Sequence, residues 1–143
     1  MILHRDRYFE HLYDVKLDLV TVTWPDIENI YLPEIFHSVN VLVENVKNYN
    51  IKNLLVDARE TKLLASYEDA DRVVQAFTHG LAQSRLQKLA RIESVNYQRE
   101  SSLKQLTMEM NATFSYKTMF FKDTKSAMDW LQGKENLNNY ISY

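Results

Sequence analysis

The sequence predicts an α/β domain: one mixed, mostly parallel sheet of four to five strands covered by four helices, in the order ββαβαβαβα. Three observations carry that expectation. Short apolar runs rich in β-branched residues alternate with longer segments whose apolar positions recur at steps of three and four. The 143 residues are 45% hydrophobic and 25% charged, which suits one soluble core of ordinary size. No Ser/Gly-rich linker, low-complexity run or internal repeat divides the chain. The domain is therefore expected over residues 1–133, with a polar, Asn-rich tail over 134–143.

The chain opens with two strand signals. Tyr8 to Tyr13 reads as a short strand, and Leu17, Leu19, Val20, Val22 and Trp24 make a second, joined through Asp14, Val15 and Lys16 as a hairpin. Pro25 ends the second strand because it cannot donate to a ladder. Leu32, Ile35, Phe36, Val39, Leu42, Val43, Val46 and Tyr49 share one helical face, with Pro33 in the first turn and Asn48 and Asn50 at the exit.

Leu54, Leu55 and Val56, ended by Asp57, form a continuously apolar run, the pattern of a strand covered on both faces. Ser66 with Asp69 resembles a capping box ahead of a helix carrying Ala70, Val73, Val74, Phe77 and Leu81. Lys88 to Glu93 is the next strand, and Tyr97 to Asn111 the next helix, with Leu103, Leu106 and Met110 turned inward. Phe114 to Phe121 is the last strand. Asp123 or Thr124 caps a short helix bearing Ala127, Trp130 and Leu131, stopped at Gly133.

Composition excludes several functions. No cysteine means no disulfide, thiolate nucleophile or Cys-ligated zinc or iron–sulfur cluster. Gly80 and Gly133 are the only glycines and lie far apart, so neither a P-loop nor a dinucleotide fingerprint can be built. The four histidines are scattered without metal-ligand spacing, and no Gly-x-Ser-x-Gly elbow occurs. We therefore expect no metal, no cofactor and no catalytic residues. A net charge of −2 offers no field to attract nucleic acid. No run is long and apolar enough for a signal peptide or a membrane span, so the expected compartment is the cytoplasm.

The element order resembles the STAS family, the sulfate-transporter and anti-sigma-factor-antagonist domains, and within it the SpoIIAA-like group of stand-alone bacterial domains. Two stretches carry the resemblance beyond topology. Ile51-Lys52-Asn53-Leu54-Leu55-Val56-Asp57-Ala58-Arg59 is similar to that group's strand ending in Val-Asp before a loop. Met119-Phe120-Phe121-Lys122-Asp123, followed by Ala127, Trp130 and Leu131, is similar to its closing strand, acidic cap and Ala-x-x-Trp-Leu helix. The resemblance covers roughly residues 8 to 132. It implies a binding or regulatory module acting through a protein partner, a second copy of the chain or a small apolar ligand. A related implication, through the CRAL-TRIO relatives of the fold, is lipid or fatty-acid carriage. The antagonists also carry a phosphorylatable serine in an Asp-Ser-x-Gly-like motif before their second helix. Here Ala65-Ser66-Tyr67-Glu68 stands at that place, without the Asp or the Gly.

Ser66 thus reads first as an N-cap and second as a phospho-acceptor. Asp57, Arg59 and Glu60, just past the apolar strand, read either as an ion pair ordering a loop or as an anchor for a ligand or partner at the sheet's carboxyl edge. Arg85, Lys88 and Arg91 read as a solvated face, and His37 as a partly buried polar residue. Gly80, inside a helix, is expected to permit close packing. The nine tyrosines, Tyr140 and Tyr143 among them, supply core, rim and candidate interface residues.

Overall fold

Six strands form one sheet in which spatial order follows chain order: β1 (Ile2–Arg5), β2 (Glu10–Asp14), β3 (Leu19–Thr23), β4 (Asn53–Asp57), β5 (Lys88–Ile92) and β6 (Lys117–Phe121). The computed structural model describes residues 1–134. The predicted tail, 134–143, lies outside the described residues except for Lys134, as do Tyr140 and Tyr143. β1, β2 and β3 pair antiparallel, and β3 through β6 pair parallel. The α/β class and mixed sheet agree with the sequence reading. The strand count does not: six replace the expected four to five, because β1 was not foreseen. Its four residues form an edge strand, interrupted by a register shift between Ile2 and His4.

Three crossover helices join the parallel strands: α1 (Leu32–Asn48), α2 (Tyr67–Leu81) and α3 (Tyr97–Asn111). Right-handed crossovers between strands that advance steadily in one direction must all pass over the same face. The packing follows that rule. α1 and α2 bury Ile35, Val39, Leu42, Val46, Val73, Phe77 and Leu81 against Val20, Val22, Leu54, Val56 and Leu89. α3 lies over the same face, where Leu103 lines a cavity with Val56 and Leu89. The last helix of the described residues, α4 (Thr124–Leu131), takes the opposite face, with Ala127, Trp130 and Leu131 on Leu19, Leu55, Ala90 and Phe121. The two cores meet at β4, whose residues alternate between them. That is why its apolar run is unbroken.

Local signals set the ends. Asn50 after α1 adopts φ 51 and Gly133 after α4 adopts φ 68, the left-handed residue of a Schellman stop. Ile51 N–H reaches Val46 O at 3.0 Å and Lys134 N–H reaches Asp129 O at 2.8 Å, completing both motifs. Ser66, Asn96 and Asp123 cap α2, α3 and α4 through their side chains. Gly80 faces α1: a Cβ there would sit 2.9 Å from Val43 Cγ1, so the missing side chain sets how close α1 and α2 approach.

Candidate functional site

The carboxyl ends of β3 to β6 gather polar groups that lie outside the core. The loop after β3 and the loop after β4 are tied together first. Thr61 Oγ1 donates to Trp24 O at 2.8 Å, Lys62 N–H to Asp26 Oδ1 at 2.7 Å, and Ile27 bridges Leu63 in parallel. Backbone bonds Ala58 N–H to Ile92 O (3.0 Å) and Glu93 N–H to Phe121 O (2.8 Å) carry the ladder one residue beyond the strands. The edge is therefore a rigid rim.

Asp57 and Arg59 come together on it. The Asp57 carboxylate accepts from Arg59 Nε (3.0 Å), Nη2 (2.7 Å) and backbone N–H (3.1 Å). The Arg59 guanidinium, with a smaller opposing effect of burial, holds the Asp57 carboxyl below its ordinary range, and the Asp57 carboxylate in turn raises the pKa of Arg59. Glu60 is exposed and does not join them: among the described residues it makes no ion pair. The ion-pair reading of this loop is what the geometry displays for two of the three residues.

Arg59 also forms one wall of an open cleft of about 530 Å³ that the sequence did not foreshadow. Glu93, Ser94 and Val95 from the β5 exit, Tyr97, Glu100 and Lys104 from α3, and Lys122 after β6 complete it. Val95 is 95% and Tyr97 78% exposed, a large apolar area for a loop rim. Lys104 Nζ pairs with Glu93 at 2.6 Å. Lys122 is exposed and has no ion-pair partner among the described residues.

Behind the cleft lies a buried charge pair. Arg91 points from β5 toward α3 and donates Nε (2.8 Å) and Nη2 (3.1 Å) to Glu100, which also accepts from Ser94 Oγ at 3.1 Å. The two side chains are 11% and 3% exposed, so Arg91 is no part of a solvated face. Lys88 departs from that reading too, donating to Trp130 O at 2.7 Å; Arg85 remains exposed. A second buried arginine, Arg99, bonds Asp71 of α2 at 2.5 Å and lies over the Tyr67 ring. Arg91 reads as solvated in the sequence because its partner is nine residues on, in another element, and no spacing rule joins them.

Ser66 is exposed, and its hydroxyl accepts the backbone N–H of Asp69 at 3.1 Å, the N-cap geometry. His37 is exposed rather than partly buried. The buried histidine is His11, wholly enclosed between β1 and α1. Asn45 Nδ2 lies 3.0 Å from its Nδ1, and its Nε2 has no partner. Burial, with His4 adding repulsion, lowers its pKa to about 4. Among the described residues, no cluster of three or more His, Cys, Asp or Glu is placed to hold a metal, and no helix is long and apolar enough to cross a membrane.

The cavities beneath the helices are small. One of about 40 Å³ and one of about 30 Å³ flank Arg91 between α2 and α3. Each has room for ordered water, far short of the several hundred Å³ that a drug-sized ligand fills. Comparison with known protein families, curated proteins and solved structures finds no match to this chain.

Proposed function

We propose that this chain is a STAS-like module that binds a protein partner at the carboxyl edge of its sheet. The single observation that carries the reading is the cleft itself: Val95 and Tyr97 stand exposed beside Arg59, Lys104 and Lys122, next to strand ends tied to one another by backbone bonds. Exposed aromatic and arginine residues on a fixed frame are the usual anchors of protein interfaces. Lipid carriage gains no support from interior cavities of about 40 and 30 Å³. A phospho-switch at Ser66 would place a dianion beside Glu68 and Asp69, with only the helix dipole to favour it. The cleft does hold a hydroxyl–carboxylate pair, Ser94 with Glu100, but that carboxylate is already engaged by the Arg91 guanidinium, which makes it a poor general base. In the setting the resemblance implies, the module works in the cytoplasm.

The test is a photo-crosslinker installed at Val95 in the full chain, read in cells that express it, alongside native mass spectrometry of the purified protein. The expected result is a discrete crosslinked protein that disappears in Arg59→Glu/Lys122→Glu, with the purified chain at its apo mass. A stoichiometric lipid adduct without a crosslink would replace partner binding with carriage.

A further inference from the structure

Among the described residues the sheet has two free edges, and they are built differently. β1 is broken by its register shift and carries the exposed Arg5–Glu10 ion pair, both of which discourage a further strand. β6 pairs with β5 in unbroken register from Lys117 to Phe121. Lys117 N–H donates inward to Gln87 O at 3.0 Å, and Phe121 O accepts inward from Glu93 N–H at 2.8 Å. Backbone direction alternates along a strand, so Thr118 and Phe120 turn their N–H and C=O groups outward, where the sheet ends.

A groove of about 250 Å³ runs along that edge between β6 and α3, lined by Thr107, Met108, Thr118, Met119 and Phe120. Met108 is 75% exposed. Its one charged lining residue is Lys104, which the groove shares with the cleft described above. Exposed Lys117 and Lys122 bracket the strand, and neither has an ion-pair partner among the described residues. Unpaired backbone groups, an apolar groove and cations with no acid in the lining define one kind of occupant.

We propose that β6 accepts an extended partner segment as a seventh strand, a segment that alternates apolar and acidic residues. Its backbone pairs with Thr118 and Phe120, its apolar side chains enter the groove beside Met108, and its carboxylates meet Lys117 and Lys122. This rests on the partner-binding reading and names the partner's chemistry.

The experiment titrates the isotope-labelled full chain with two synthetic peptides, Asp-Leu-Asp-Val-Asp-Leu-Asp and its Lys-for-Asp counterpart, followed by backbone amide NMR. The acidic peptide is expected to bind, shifting and protecting the Thr118 and Phe120 amides, at least tenfold more tightly than the basic one. Thr118→Pro, which removes an outward donor and leaves the β5 ladder intact, should weaken it at least tenfold. Lys117→Glu/Lys122→Glu should reverse the preference, and that result stands even where the proline variant fails to fold. Equal binding of both peptides, no binding at millimolar concentration, or shifts confined to Arg59 and Val95–Tyr97 would overturn the inference. Concentration-dependent protection of β6 without peptide would also overturn it, assigning the edge to a second copy. None of these outcomes touches the crosslinking result, so the two readings fail separately.

Discussion

α1 and α3 cover the same face of the same sheet by different means. α1 buries Ile35, Val39, Leu42, Val43 and Val46, with Ser38 as its only buried polar residue. α3 buries one apolar residue, Leu103, together with Arg99 and Glu100. Apolar burial tolerates small sliding of one surface over another. An ion pair in a poorly hydrated site demands its geometry, because the cost of removing two charges from water is offset only at close range. The β3–β4 half is thus a hydrophobic platform, and the β5–β6 half is a helix pinned at a few charged points with small voids on either side.

The sharpest way to break that contrast is Glu100→Ala. It strands the Arg91 guanidinium in the interior and should cost about 4 kcal/mol in urea unfolding. Arg91→Met/Glu100→Leu should recover to within about 1 kcal/mol of the parent, since an apolar pair of similar size avoids the desolvation cost. A loss under about 1 kcal/mol for the single variant would mean that α3 is held some other way. On the apolar side, Leu42→Ala should cost about 3 kcal/mol from transfer and cavity terms, with no charge partner able to rescue it.

His11 supplies a pH-dependent exception on the α1 side. Its pKa falls from 6.5 to about 4 in the fold, so the unfolded chain binds the proton more readily. Stability is whole above pH 6.5, declines by about 3 kcal/mol as pH falls from 6.5 to 4, and levels off below. Asp6 acts in a lower window. Burial raises its pKa, but the N–H groups of Phe9 and Tyr8 and the His4 ring outweigh this and hold it at about 2, so its contribution is lost between 3.8 and 2. Urea midpoints from pH 7 to 4 should slope in the parent and flatten in His11→Phe. The smallest effect is at Gly80. A methyl there gains about 1 kcal/mol of helix propensity but crowds Val43, for a net loss of about 1 kcal/mol. In a Val43→Ala background the same change should stabilise, and a double-mutant cycle reads the coupling.

The same contrast explains what the sequence disclosed. α1, α2 and β4 were legible because an apolar period is a local signal, and the helix stops were legible because Asn50 and Gly133 answer a backbone need. α3 was located from Leu103, Leu106 and Met110, yet of these only Leu103 is buried, and the attachment through Glu100 and Arg99 was invisible. Pairing across elements has no spacing to read. β1 was missed for a related reason: four residues, the last two of them His4 and Arg5, with one register break give no clean alternation. Asp57 with Arg59 was visible as a loop pair, whereas the cleft needed three loops and a helix to be brought together.

The monotonic strand order carries a last consequence. Sheets that reverse direction possess a natural gap where neighbouring crossovers part to opposite faces, and small molecules settle there. Here every crossover climbs the same side, like treads on one staircase, and no such gap exists in the parallel run from β3 to β6. A staircase ends at its top step, and growth there requires no rethreading of what lies below. A seventh strand on β6, as proposed above, would be lateral accretion rather than enclosure.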